Sequence, residues 1–478
     1  MSSSKKVVSN FIWRFSERVG AQGVSFVVSI ILARLLSPTD YGMIALVTVF
    51  TSILQVFVDS GFGNALIQKK DADDLDFSTV FYFNITVCGL LYLLLFFAAP
   101  LISRFYEMPA LTPVIRVLSL KLIISGVKNI QQAYVSRHMM FKRFFFATLG
   151  GTIGAAIIGI WMAYRGYGVW ALVAQLLFNA AVDTIILWIT VKWRPKKLFS
   201  LQRLKALFSY GWKLLASHLL DTVYTDLRQL IIGKMYSAED LAFYNRGQHL
   251  PKVFITNINA SIDSVLFPTM SAEQDNVTRV RSMTSRAIKT STYIMAPLMM
   301  GLAACGEPLV RILLTEKWLP CLPFMTIFCI TYMFYPIHTA NLNAIKAMGR
   351  SDLFLKLEIC KKVVGMVLLL SSMWFGVMAM AYSLLVSSVI SQIINSWPNR
   401  ELLGYRYLDQ LRDILPGILL AAVMGLIISM VEHLDLADWL TLLIQLPLGA
   451  AIYIGGSLLF KIDSFYYVLE LVKGFLKK

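Results

Sequence analysis

Apolar stretches of about twenty residues recur from one end of this chain to the other, and nothing else in the sequence constrains its fold as strongly. A helix needs ~20 such residues to cross the ~30 Å hydrocarbon layer of a bilayer. The chain has 478 residues, of which 57% are hydrophobic and only 15% charged, too little polar surface to cover a soluble core of that size. The first stretch, Phe11–Leu36, is too long for a signal peptide and carries Arg14, Glu17 and Arg18, so it reads as a retained helix. The expected class is an all-α polytopic membrane protein.

Spans are expected near Phe11–Leu36, Met43–Leu66, Phe77–Leu101, Thr112–Val135, Phe144–Tyr164 and Val169–Val191. A second series follows near Tyr210–Met235, Leu241–Met270, Met283–Cys305, Leu322–Met348, Leu353–Phe375 and Val377–Pro398. A last pair lies near Leu411–Val431 and Trp439–Phe460, which makes about fourteen. The fourth, seventh, eighth and eleventh are the most polar.

The net charge of +16 is distributed over short connections, with no basic domain on which a nucleic acid could dock. Alternate connections hold most of the Lys and Arg: Lys69/Lys70, Arg137/Lys142/Arg143, Lys192 to Lys205, Arg279/Arg281 and Arg400/Arg406. The opposite set holds few bases, Arg104, Arg165, Lys234, Arg311 and Lys317, with Glu107, Glu239, Asp240, Glu307, Glu316, Glu432, Asp435 and Asp438 beside them. Lys and Arg accumulate on the cytoplasmic side. Both termini are therefore expected in the cytoplasm, with an even number of crossings of the bacterial inner membrane.

A repeat is visible within this pattern. Ile30–Tyr41 resembles Leu230–Leu241: each closes an apolar helix with a base (Arg34, Lys234), followed by Ser-x-x-Asp (Ser37/Asp40, Ser237/Asp240). Ser suits a helix N-cap, and Asp suits the positive first turn. Arg137-x-x-x-Phe141 with Arg143 pairs more weakly with Arg350-x-x-x-Phe354 and Lys356. Six helices per repeat give both halves one orientation, with a pseudo-two-fold axis along the membrane normal and a cavity between them. The expected division is an N-terminal lobe at 1–205, a second six-helix lobe at 206–400, and a peripheral helix pair with a tail at 401–478.

Ionisable residues inside spans cost roughly 2.5–3.5 kcal/mol each and often mark a pathway. Here they fall into stripes at helical spacing: Arg14, Arg18, Gln22, Ser25 and Ser29; then Lys121, Ser125, Lys128 and Gln132. Further along come Ser217, Asp221, Tyr224, Thr225 and Arg228 with His218 beside them, and then Arg246, His249, Asn257, Ser261 and Ser264. Lys356, Glu358, Lys361 and Lys362 make a fifth group. Interior bases outnumber interior acids, which suits an anionic guest such as a diphosphate. The bases expected to line that site are Arg14, Arg18, Lys128, His218, Arg228 and Arg246. Candidate counter-ions or cation sites are Glu17, Asp59, Asp183, Asp221 and Asp263. Snorkelling to the interface is the competing reading for Arg14, Arg18, Lys121, Arg246 and Lys356, and an ion pair with Asp226, Asp221 or Glu17 for Arg228.

Other patterns point to structure. No GxxxxGK[ST], HExxH or CxxC occurs, so no nucleotide, metal or other cofactor is expected. Asp71–Asp76 reads as a polar turn, the five cysteines as small packing residues, and Trp13, Trp161, Trp193, Trp318 and Trp439 as interface anchors.

Several stretches resemble the polysaccharide flippases of the multidrug/oligosaccharidyl-lipid/polysaccharide exporter superfamily, in particular its Wzx-like branch. They are Leu32-Ala-Arg-Leu-Leu-Ser-Pro-Thr-Asp-Tyr-Gly42, Asp59-Ser-Gly-Phe-Gly-Asn64, Tyr244-Asn-Arg-Gly-Gln248 with Leu250-Pro251, Val265-Leu-Phe-Pro-Thr-Met-Ser271, and Glu307-Pro-Leu-Val310 with Leu314-Thr-Glu-Lys-Trp318. The resemblance implies a fourteen-helix, two-lobed transporter, without covalent chemistry. It would move undecaprenyl-diphosphate-linked oligosaccharide to the outer leaflet, alongside a polysaccharide polymerase and assembly machinery. It further implies that interior bases hold the diphosphate, here Arg14, Arg18, Lys128 and Arg228. Two rival readings are an ion-coupled drug or cation antiporter of the multidrug branch and a membrane polysaccharide polymerase or ligase. The first would favour an acidic interior, and the second a long outer loop with catalytic Arg or His.

Overall fold

The computed structural model describes residues 20–59, 62–69 and 71–476. Among these residues every regular element is helical. The chain divides into two compact units, Met1–Ala242 and Phe243–Lys478.

The first unit holds α1 (Gly20–Leu35), α2 (Pro38–Asp59), α3 (Phe62–Gln68), α4 (Asp74–Phe105), α5 (Leu111–Leu118), α6 (Leu120–Arg137), α7 (Phe141–Tyr164), α8 (Val169–Thr190) and α9 (Leu201–Met235). Helix α4 starts at a capping box in which the Asp73 carboxylate accepts from Asp76 N–H at 3.0 Å, and Asp76 accepts from Asp73 N–H at 3.2 Å. Asp76 is fully buried and takes ion pairs from Lys69 at 2.6 Å and Arg203 at 3.1 Å. The acidic run at 71–76 is thus a knotted helix start rather than a merely solvated turn. The basic linker is tied to the same place: Lys196 meets Asp74 at 2.6 Å, and Lys196 N–H and Ser200 N–H donate to Ser78 and Thr79. Trp193 is buried there, donates to Asp74, and packs with Phe77, Phe81, Leu204 and Leu207. Pinned this way at its start, α9 belongs to the first unit. Helices α7 and α8 lie close because Gly151 and Gly154 leave room for Asn179 and Phe178.

The second unit holds α10 (Ala238–Ala272), which begins at the end of the first unit, then α11 (Val277–Ala304), α12 (Gly306–Leu314), α13 (Leu322–Met333), α14 (Tyr335–Ala347), α15 (Ser351–Ser372), α16 (Val377–Leu402), α17 (Tyr407–Ser429), α18 (Asp438–Leu459) and α19 (Asp463–Leu476). Helices α11 and α12 bend by 68° at their junction. The last long helices attach along α11: Tyr453 OH on α18 donates to Tyr293 O at 2.9 Å, and the Tyr293 hydroxyl meets Ser457 Oγ at 2.6 Å.

Eight helices among the described residues are long and apolar enough to cross a membrane, or nine if the bent α11–α12 pair is one span. Where described, each of the fourteen expected segments falls on helical residues, the first from Gly20 onward on α1, the second on α2–α3, the fourth on α5–α6 and the tenth on α13–α14; positions 11–19 lie outside the described residues. The polar-striped helices α6, α9, α10 and α15 are outside the strictly apolar set, because charged side chains interrupt their apolar surface. Two interface tryptophans are corrected: Trp193 is 7% exposed and Trp318 is fully buried, whereas Trp161 and Trp439 are exposed. Trp13 lies outside the described residues. Cys88, Cys305, Cys321 and Cys329 are buried and Cys360 is exposed.

Candidate functional site

Apolar helices place polar side chains in the interior only where a partner is at hand, because an unpaired charge there is costly. The first unit shows this on α6, where Lys121, Ser125, Lys128 and Gln132 run along one side. Lys128 Nζ lies 3.0 Å from Asp183 Oδ2 on α8, with both side chains less than one-fifth exposed. Lys128 and Asp183 thus form an ion pair between α6 and α8. One residue further, Asn129 Nδ2 donates to Asp59 Oδ1 at 3.1 Å, and Gln55 Nε2 reaches the same carboxylate at 3.1 Å. Gly63 makes this approach feasible, since a Cβ there would sit 3.0 Å from Asn129 Oδ1. Gly61 lies outside the described residues.

Helix α9 adds a second polar surface to the first unit. Asp226 accepts from Ser52 on α2 at 2.7 Å and from Gln229 at 3.2 Å, so hydroxyl and amide donors occupy both of its oxygens. Arg228, 9% exposed, is buried, while Ser217, His218, Asp221 and Thr225 are exposed on the preceding three turns. An exposed run of hydroxyl, imidazole and carboxylate on a helix of an apolar bundle suits water or a polar guest better than acyl chains. Arg14, Glu17 and Arg18 lie outside the described residues.

In the second unit Arg246 is buried, with its guanidinium 4.9 Å from the centre of the Trp318 ring. Its surroundings are thus an aromatic face rather than an open surface. One turn on, α10 exposes His249, Lys252, Thr256, Asn257, Ser261 and Ser264. Asn257, Ser261 and Ser264 each donate to a carbonyl of their own helix, which leaves their acceptor oxygens turned outward on a polar stripe. Asp263 is half-exposed and 4.0 Å from Lys346.

Reading charges alone missed a carboxamide network. Asn341, Asn399 and Gln410 are fully buried and joined by Asn399 Nδ2 to Asn341 Oδ1 at 2.7 Å and Asn341 Nδ2 to Gln410 Oε1 at 2.8 Å. His338 lies nearby in sequence on α14, its ring nitrogens 3.0 Å from Asn395 Nδ2 and 3.4 Å from Ser388 Oγ. The signal was present: Gln392, Asn395, Ser396 and Asn399 recur at helical spacing on α16. In the repeat, Ser37 Oγ donates to Asp40 Oδ2 at 2.6 Å and Ser237 Oγ to Asp240 Oδ2 at 2.6 Å, with the reciprocal backbone donations in both.

The model of a family described as polysaccharide biosynthesis protein matches residues 31–323. The chain is similar to the teichuronic acid biosynthesis protein TuaB of Bacillus subtilis (strain 168), 25% identical over 470 residues and 95% of both chains. Its fold resembles the lipid II flippase MurJ in an inward closed conformation, with TM-score 0.75, 16% identity, 95% of this chain and 99% of that one. It also resembles an inward-facing multidrug resistance MATE family transporter, with TM-score 0.62, 16% identity, 82% of this chain and 98% of that one. With more than half of its length matched, the chain belongs to the polysaccharide biosynthesis protein family.

Proposed function

We propose that this protein is a flippase that moves a lipid-diphosphate-linked oligosaccharide from the cytoplasmic to the outer leaflet by alternating access, for export as surface polysaccharide. One observation carries the reading: a polysaccharide biosynthesis sequence signature lies on a transporter fold of the kind seen in MurJ. The family points to the cargo and the fold to the action. A lipid-linked sugar needs a polar path for its head group, and the exposed polar faces of α9 and α10 supply surfaces of that kind.

The diphosphate is assigned to Arg14, Arg18, Lys128 and Arg228, with His218 and Arg246 as further bases near that path. Lys128 would exchange Asp183 for a phosphate oxygen, and Asp59 and Asp221 would balance charge when the site is empty. The matching Ser-x-x-Asp caps at 37–40 and 237–240 support sequence repeats at 1–205 and 206–400, with 401–478 as an addition, although α9, the first helix of the second repeat, packs in the first compact unit. Fourteen crossings in the bacterial inner membrane, both termini cytoplasmic, and a polymerase as working partner complete the proposal.

The drug-antiporter reading shares the fold, so fold alone leaves it standing; the family favours the polysaccharide cargo. The deciding experiment reconstitutes the protein in vesicles with a fluorescent lipid-diphosphate oligosaccharide and follows its arrival in the opposite leaflet. Transfer that depends on both the diphosphate and the protein is the expected result. Absence of transfer together with export of cationic dyes would overturn it.

A further inference from the structure

A separate space lies in the second unit. It is a cavity of about 190 Å³ between α11, α17 and the turn from α18 into α19, lined by Lys289, Tyr293, Asp413, Lys461, Asp463 and Ser464 among others. At ~30 Å³ per water, this is space for about six waters, enough for a small head group.

Its inner wall is fixed. Lys289 pairs with Asp413 Oδ1 at 2.9 Å, and Asp413 Oδ2 accepts from Ser285 at 2.8 Å and Tyr405 at 2.6 Å. Its outer wall carries Lys461 and Asp463, two residues apart and both exposed. Lys461 sits at φ +50°, in the left-handed region, where helices ordinarily place glycine after their last turn. Ile462 N–H donates back to Ser457 O at 3.0 Å and holds the turn in place. The neighbouring positions are apolar: Leu459 is 76% exposed, Phe460, part of the lining, is 70% exposed, and Leu415 and Leu419 on α17 are exposed too. Helix α19 is tethered beside it by Arg286, whose guanidinium lies 5.0 Å from the Tyr467 ring centre.

A pocket lined by both charged and apolar side chains, with the exposed Phe460 among them, fits an amphiphile better than a free solute. We propose that it binds one membrane phospholipid whose head group is phosphoethanolamine. Its phosphate would lie on Lys461 with Lys289 behind it, its ammonium on Asp463, and its chains over Leu459 and Phe460. The charge pattern selects this head group. Two lysines and two aspartates give no net attraction for an anionic lipid, and a choline ammonium has no N–H to give to Asp463.

The full chain, stripped of lipid in detergent and then offered equimolar phosphatidylethanolamine, phosphatidylcholine and phosphatidylglycerol, tests this by native mass spectrometry. The wild type should retain the ethanolamine lipid at least several-fold over the other two. Lys461→Gly removes the ammonium while relieving the backbone, so it should lose that lipid about tenfold with its melting temperature kept or raised. Asp463→Asn should keep lipid binding and lose the preference over choline. Equal retention of all three lipids, preference for the glycerol lipid, or unchanged retention in both variants would overturn the proposal.

Discussion

The ammonium of Lys128 on α6 lies 3.0 Å from Asp183 Oδ2 on α8, and Asp183 Oδ1 is buried without a hydrogen-bond partner among the described residues. Removing one member of a buried pair strands the other charge, at ~3–5 kcal/mol. Lys128→Met should therefore lower the melting temperature of the purified protein, and Lys128→Met with Asp183→Leu should restore most of it. Transport separates the roles. If Lys128 holds the diphosphate, Asp183→Asn should keep transport while Lys128→Met and the double variant lose it about tenfold or more, as expected for loss of a charge-assisted contact worth ~1.5–3 kcal/mol. Full transport by the stable double variant would assign the pair to packing alone.

Segment positions were legible because a bilayer demands one length of apolar helix, and the expected segments land on helices wherever their residues are described. The caps at Ser37 and Ser237 were legible because a local Ser-x-x-Asp spacing sets its own geometry. What charge counting could not give was pairing. Lys128 and Asp183 are 55 residues apart, and only the packing of α6 on α8 joins them. Arg246 illustrates the same limit: its place against Trp318 depends on a 3-10 turn at Glu316–Cys321 that carries no sequence code for contact with α10. The network of Asn341, Asn399 and Gln410 was overlooked because uncharged amides leave hydropathy nearly unchanged.

Close approach of the helix starts makes a second prediction. A Cβ on Gly42 would lie 1.7 Å from the backbone oxygen of Ala238, whereas one on Gly233 would meet the Leu46 side chain at 2.3 Å. Backbone cannot move aside as a leucine can. Gly42→Ala should thus reach or exceed the upper end of the ~1–3 kcal/mol typical of overpacking, and Gly233→Ala should cost less. Gly23 has nothing within 4 Å of its would-be Cβ, so Gly23→Ala should be neutral or stabilising by up to ~1 kcal/mol. Melting curves of the three variants in one detergent give the order, and equal losses at Gly42 and Gly233 would contradict this packing.

The carboxamide network gives a third. Asn341 Oδ1 accepts from Asn399 Nδ2 at 2.7 Å and from Gln410 Nε2 at 3.1 Å. Asn341→Leu keeps a similar volume and strands both partners, at ~1–3 kcal/mol for each buried group left unsatisfied. Ser388→Ala, which removes only a 3.4 Å contact to His338, should be close to neutral. A larger thermal loss in Ser388→Ala than in Asn341→Leu would show that the network does not hold α14, α16 and α17 together.

Sidedness is the last, and native cysteines make it measurable. Cys360 is the exposed one of the five, and the other four are buried. With Cys360 replaced by serine, a membrane-impermeant maleimide should find little to label. Lys197 lies exposed on the basic linker and Glu239 exposed at the start of α10, on connections of opposite charge character. Because Lys and Arg stay on the cytoplasmic side, Glu239→Cys should label in intact spheroplasts and Lys197→Cys only after permeabilisation. The reverse pattern would invert the protein in the membrane and, with it, the leaflet from which the cargo is taken. Labelling of both from one side would require an even number of crossings between positions 197 and 239, where α9 offers a single helix.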